Sequence, residues 1–282
     1  GQLVEALLTV QTRRDSDGHV TGVFCFLHTV SAELQAALNL QRATQDFAKE
    51  KAKAVAYTRD AIRGPLDGIE HALEGLRKEE QEGRLVGEEE KNAVGVAERC
   101  KEQVDRILGD DDIDTIEEGY VNIIPAVFTI ASVIDAVVAQ GKQAAARREV
   151  SLSFDPPPQL RSFPGLAGDP ARLQQALAEY LTSAVAFTPQ GGWVKVRLVT
   201  STRSLFGDQG SLKCEFRVQH SGALPQELVQ QLYDEADPTT RTQEGLGLSV
   251  CRKILLAMAG DVQYDRNYNA CEFVVRIGFP FA

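Results

Sequence analysis

One Trp, one Met and four His are spread over 282 residues, and no two of the five cysteines stand at C-x-x-C spacing. Without such spacing the chain shows neither a zinc-ligand pattern nor a disulfide framework. Cys25, Cys100, Cys214, Cys251 and Cys271 therefore read as reduced thiols, packed as small hydrophobes in a cytosolic or nuclear protein. Long apolar runs are missing too. None approaches the roughly 20 residues that cross a bilayer, and neither a signal peptide nor a membrane partner is expected. There is no initiator Met, and the opening GQLVEALLTV has mid-strand character, which leads to the expectation of a piece cut from a longer protein. Basic runs are equally absent. None exceeds the two residues of Arg147-Arg148 and the net charge is −10, so nothing offsets phosphate repulsion and direct nucleic-acid binding is disfavoured. What is present is 43% hydrophobic and 25% charged, an ordinary soluble composition with length for two domains or one domain plus extended helices.

Residues 3–12 and 20–29 alternate as strands around Asp17-Gly18, a hairpin signal. Two strands make no stable sheet alone, so they are read as the end of a small domain. Residues 31–79 are predicted to form one long helix capped by Ser31. Its seam in 4-3 steps is Leu34, Leu38, Gln41, Gln45, Ala48, Ala52, Val55, Arg59, Ile62, Leu66, Ile69, Leu73 and Leu76, a stripe suited to a coiled coil or bundle. Pro65 inside it predicts a kink, eased by Gly64. A charged turn precedes a second helix, expected from about Glu88 to Glu118, with Val86, Ala93, Ala97, Cys100, Val104 and Ile107 on one face. A hairpin with an apolar stripe to spare pairs with a second copy, so a homodimer built on a four-helix bundle is expected.

Beyond residue 120 the pattern turns to α/β. A helix is expected from Phe128 to Arg148, a strand at VSLSF, a loop over DPPPQLRSFPGLAGD, and a helix capped by Asp169 with Pro170 in its first turn. Strands at WVKVRLVTS and LKCEFRVQH, a short helix started by Pro225, a helix closed by Gly260 and two last strands complete a mixed sheet covered by helices on one face. Trp193 reads as sheet packing, Arg172 as one half of a surface pair, and the run Gly109–Asp112 as a solvated hinge.

Four stretches then carry a resemblance. YTRDAIRGPLDGI (57–69) resembles the phosphoacceptor segment of sensor histidine kinases, GDPARLQQALAEYLTSAVAFTPQGG their asparagine-bearing box, FRVQHSGALPQEL their first glycine box and EGLGLSVCRKIL their second. Together with VTGVFCFLHTVSAELQAAL and ILGDDDIDTIEEGY they look like the C-terminal region of plant-type phytochromes, from end to end. The resemblance implies an α+β chain in three parts: the end of a PAS domain (1–30), a long linker helix with a dimerisation hairpin (31–118), and a histidine-kinase ATPase-like α/β sandwich (119–282).

Carried over residue by residue, the resemblance puts Asp60 where the phosphoacceptor histidine stands and Ala61 where its acidic partner stands. Phosphoramidate chemistry then has no nucleophile, and an ion pair of Asp60 with Arg59 and Arg63 is the plainer reading; His71 is an alternative acceptor outside the motif. In the nucleotide box Glu179 and Ser183 take the two asparagine positions, with Ser183 a weak magnesium candidate, and Ala186 takes that of a lysine. His220 takes the adenine-contacting aspartate's place, and Gly222 remains of the first glycine box. Gly245 and Gly247 survive from the second, where backbone amides approach phosphates or the chain simply turns tightly. Mg-ATP binding is accordingly doubtful, and no catalytic residue is expected.

The function implied is a dimerising signal-output module of a red/far-red photoreceptor, with Leu34, Leu38, Val55, Ile62, Leu66, Ile69, Leu73 and Val104 at the dimer interface. The polar seam residues Gln41, Gln45 and Arg59 would permit shifts of register. A linear tetrapyrrole would be bound upstream of this chain. Transcription factors and ubiquitin-ligase components are the implied partners, with a cytoplasmic location and nuclear entry in light. The competing expectation is an ATP-dependent protein Ser/Thr kinase using Glu179 and Ser183; a phosphorelay kinase is disfavoured by Asp60.

Overall fold

A computed structural model describes residues 6–29, 32–81, 87–108, 120–203, 210–233, 242–267 and 270–282. The chain divides into two compact units, 1–53 and 54–282, with the boundary inside the first helix.

In the first unit, strands β1 (Ala6–Arg14) and β2 (Val20–Thr29) pair antiparallel. The turn is built as its residues dictate. Gly18 takes a φ of 84°, and the Asp15 carboxylate accepts the N–H groups of Asp17 (3.0 Å) and His19 (2.9 Å). Leu8, Val10, Val23, Phe24 and Phe26 are exposed, as is Cys25, which corrects the expectation of five buried cysteines. Helix α1 (Ala32–Gln81) follows and runs unbroken through Pro65. Ser31 and the side chains of Leu34 and Leu38 lie outside the described residues.

The second unit takes in α1 from Ala54 onward. Helix α2 (Glu88–Leu108) returns along it, and the expected extension to Glu118, like the acidic run at 109–112, lies outside the described residues. Then come β3 (Ala126–Phe128), α3 (Ile130–Arg147), β4 (Ser151–Asp155), β5 (Leu166–Gly168), α4 (Pro170–Ala186), β6 (Trp193–Arg203), β7 (Ser211–His220), α5 (Gln226–Leu232), α6 (Gln243–Ala257), β8 (Asp261–Arg266) and β9 (Cys271–Pro280). The main sheet has the order β4-β6-β7-β9-β8, with β4 and β6 parallel and the remaining pairs antiparallel. Its inner face, including Val194, Val196, Phe216, Val218, Phe273 and Val275, packs with α3, α4 and α6 into one core. The mixed, one-side-covered sheet is as the residue patterns require.

Several details differ from the sequence reading. Phe128 is not helical. It ends β3, which pairs with β5 inside the expected loop, and Thr129 caps α3 by accepting the Ser132 N–H. Trp193 is 40% exposed at the start of β6. Arg172 is buried and donates to Gln175 Oε1 at 3.0 Å. The left-handed residue that ends α6 is Ala259 (φ 57°), not Gly260; the Gly260 N–H bonds to Leu255 O and the Ala259 N–H to Leu256 O. Glu149 (φ 55°) ends α3 in the same way. Both helices thus stop in a Schellman motif without its usual glycine.

Candidate functional site

The segment Tyr57–Asp67 of α1 lies against the α/β layers, on α4 and the start of α6. Tyr57 is off the apolar seam, and its ring is buried in the main core while its hydroxyl accepts from Gln175 Nε2 at 3.2 Å. One turn on, Asp60 meets Arg59 and Arg63, both at 3.7 Å. Gln243, the first residue of α6, reaches across to donate to the Asp60 carboxylate and to Ala56 O. The segment is therefore tied to the glycine-bearing helix by a side-chain clasp.

Between these helices lies a cavity of about 230 Å³ lined by Tyr57, Asp60, Arg63, Glu179, Ser183 and Glu244, among others. The structure thus brings together four of the sequence-predicted residues, Asp60, Glu179, Ser183 and Gly247. Glu179 projects from the middle of α4. Burial raises its carboxyl to about 7; the Ser183 hydrogen bond opposes the shift, and the charges of Asp60 and Glu244 add to it. Three carboxylates face one another across this space, and Arg63 is the cation among its described lining residues.

The glycines of the second box are not in a loop. Gly245 and Gly247 lie in the first two turns of α6, whose N-cap Thr242 accepts the Gly245 N–H at 3.1 Å. A Cβ at Gly245 would overlap Gln231 Oε1, which accepts from both the N–H and the hydroxyl of Thr242. A Cβ at Gly247 would stand 2.6 Å from Glu179 Oε1. Both positions are small because side chains of this chain press on them. Gly222 is held by the same kind of contact, its Cα lying against the Phe187 carbonyl.

His220 lies away from this cavity, fully buried at the end of β7. Its ring stacks on Phe273 at 6.3 Å, and Nε2 lies 3.3 Å from the Tyr264 hydroxyl. Burial lowers its pKa to about 4, so the ring is neutral. The strand alternation Leu212, Cys214, Phe216, Val218, His220 already put it on the core face. His71, the alternative acceptor, lines a separate groove with Asp135 and Lys142.

Sequence reasoning missed Tyr57, Gln175, Gln231 and Gln243. Tyr57 carried a usable signal, a large aromatic off the seam of an amphipathic helix. The glutamines carried none, because their partners come from distant parts of the chain. Of the interface residues, Val55, Leu66 and Leu73 are exposed, Ile62 and Val104 are partly buried, and Ile69 packs within the chain against Ala72, Val96 and Cys100.

Among the described residues no helix is long and apolar enough to cross a membrane, and no group of three or more His, Cys, Asp or Glu is placed to hold a metal ion. The family described as histidine kinase-, DNA gyrase B- and HSP90-like ATPase matches residues 168–281. A phytochrome of Mougeotia scalaris is 41% identical over 283 residues, covering all of this chain and 25% of that protein. Phytochrome B of Arabidopsis thaliana is 36% identical over 281 residues, covering 99% of this chain and 23% of that protein. The chain thus spans about a quarter of the length of these curated relatives. Among solved structures, the histidine kinase AdeS of Acinetobacter baumannii is 17% identical with a TM-score of 0.42, covering 76% of this chain and 94% of that one. Full-length ShkA in complex with AMPPNP is 19% identical with a TM-score of 0.45, covering 82% of this chain and 46% of that one.

Proposed function

Because the chain belongs with the C-terminal region of the phytochromes along its whole length, we propose that it is the dimerising signal-output module of a plant-type red/far-red photoreceptor, with a histidine-kinase fold kept as scaffold. The observation that carries this reading is the insertion of α1 at the kinase-like cavity. Tyr57 is buried beside α4, and Asp60 is clasped by Gln243 at the helix where phosphates would be cradled. Asp60 reads here as a tether and not a phosphoryl acceptor, because its carboxylate is taken up by Arg59, Arg63 and Gln243. Mg-ATP fits poorly as well. Asp60 and Glu244 face the space a triphosphate would enter, Ala186 supplies no lysine, and His220 is turned into the core. Val55, Leu66 and Leu73 remain as an exposed apolar row for a second copy. The linear tetrapyrrole belongs upstream. Transcription factors, ubiquitin-ligase components and nuclear entry in light go with this reading.

The test is titration calorimetry of Mg-ATP into the chain, beside a Ser183→Asn, His220→Asp double variant. The expected result is no heat with the unaltered chain. Binding tighter than about 100 μM, roughly −5.5 kcal/mol, would replace this reading with that of an ATP-dependent protein Ser/Thr kinase working through Glu179 and Ser183.

A further inference from the structure

The face of the main sheet that no helix covers is divided in two by charge. Strand alternation turns Trp193, Lys195, Arg197 and Val199 of β6, Lys213, Glu215 and Arg217 of β7, and Val274, Arg276 and Gly278 of β9 away from the core. Toward β8 the charges are matched. Glu215 accepts from Arg217 Nε at 2.5 Å and from Arg276 Nε at 2.8 Å, Arg217 reaches Glu272 at 3.4 Å, and Arg276 donates to Gln263 Oε1 at 2.7 Å. Val274, in register with Arg217 and Gln263, is buried beneath these side chains. Toward β6 the charges are unmatched. Lys195, Arg197 and Lys213 form no ion pair among the described residues. Asp155 stands in register with Arg197 without pairing with it, and Asp261 and Asp265 belong to β8 at the far edge. Trp193 and Val199 are exposed at the two ends of the β6 row. Beside Val199 lies a cavity of about 520 Å³, lined by Ser201, Lys213, Ala259, Arg276 and Gly278 among others. Gly278 keeps it open, since a Cβ there would meet nothing closer than 3.8 Å.

In a chain of net charge −10, an unmatched cationic strip between two apolar ends fits a partner of the opposite sign. From Trp193 to Val199 the strand advances roughly 20 Å, the span of an extended segment of about seven residues. A nucleic-acid backbone or an anionic bilayer calls for charge of one sign, whereas Glu215 and Glu272 stand inside this cationic field. A protein segment can place its own groups to suit a mixed pattern. We propose that this open face is a docking surface for an extended acidic segment of a partner protein, whose carboxylates meet Lys195, Arg197 and Lys213 and whose apolar side chain fills the cavity over Gly278. The surface lies on the side of the sheet opposite the Glu179 cavity and serves whether or not a nucleotide binds there.

Trp193 is the single tryptophan of the chain, so its emission reports on this face directly. The probe is a synthetic peptide, Leu-Ser-Glu-Ser-Glu-Ser-Phe, capped at both ends and titrated into the whole chain. Trp193 emission should shift to the blue and saturate, and the concentration for half-saturation should rise at least about threefold between ionic strengths of about 0.05 and 0.5 M. Lys195→Glu with Arg197→Glu should weaken the peptide at least about tenfold. Gly278→Val, which a strand accommodates, should weaken it about fivefold by filling the cavity, and should leave unchanged a peptide ending in Ala instead of Phe. No shift overturns the proposal, and so does an equal shift with a peptide carrying lysine at both glutamate positions. A stronger response to a single-stranded oligonucleotide or to phosphatidylserine vesicles than to the acidic peptide also overturns it. So does a Trp193 shift that appears on concentrating the chain alone, which assigns the face to a second copy.

Discussion

Glu179 shows how a conservative-looking position acquires new chemistry from its surroundings. A glutamate in the unfolded chain ionises near 4.5, whereas this one holds its proton to about 7. Between these values the unfolded chain releases a proton that the folded chain keeps. The stability contributed by protonated Glu179 is therefore complete below pH 4.5 and lost as pH rises to about 7. Glu179→Gln should remove this slope. Urea unfolding at pH 5 and pH 8 should show the unaltered chain losing on the order of 1–3 kcal/mol more than the variant across that interval; equal losses would show that the carboxyl is ionised throughout. The residue's position was legible from the motif, but its proton was not, because the shift comes from burial together with Asp60 and Glu244, which approach only in the folded chain. His220 is the reverse case. Its place in the motif pointed to adenine, while its parity within β7 pointed correctly to the core.

Among the elements, α1 carries most of what the pattern of apolar residues could not reveal. Gly64 and Gly68 stand four apart and turn one narrow stripe toward Gln140 and Cys100, which brings the helices close. Gly64 therefore has a packing role beside the one expected from its neighbour Pro65. A Cβ at Gly68 would sit 2.5 Å from Cys100 Sγ, whereas one at Gly75 would meet nothing within 4 Å. Gly68→Ala should destabilise the chain by about 1–3 kcal/mol through overpacking. Gly75→Ala, in the same helix, should stabilise it by about 1 kcal/mol through helix propensity. Chemical denaturation of the two variants side by side checks both signs, and equal effects would show that the close approach is not held in solution. Helix α6 teaches a related lesson: its glycines mark pressure from Gln231 and Glu179 rather than an open phosphate loop.

For the assembled protein, the seam of α1 serves two masters. Ile69 is used up inside the chain, where α1, α2 and α3 share a small core of Ala72, Val96, Cys100, Ala136 and Ala139, while Val55, Leu66 and Leu73 stay exposed. A second copy is the occupant that the hairpin's stripe fits. Leu66→Glu with Leu73→Glu should convert a two-chain mass to a one-chain mass in light scattering, with helix content unchanged by circular dichroism. A one-chain mass for the unaltered protein would sink the dimer.

Strand alternation, helix periodicity and caps such as Asp169 are written locally, so the sequence settled the order of the main helices and strands, the mixed sheet and its covered face, though not the short β3–β5 pair. The four motifs, in order, settled the kinship. Folding alone decided where the motifs lead: that α1 lies on the kinase-like cavity, that Tyr57 and Gln243 clasp it there, and that Gln140 and Gln174, from two helices, both donate to the buried Oε1 of Gln103 on a third. Those contacts join residues 37 to 187 positions apart, and no periodicity of either partner records such a meeting. Their energies depend on burial and on unpaired polar atoms, which exist only once the layers have closed.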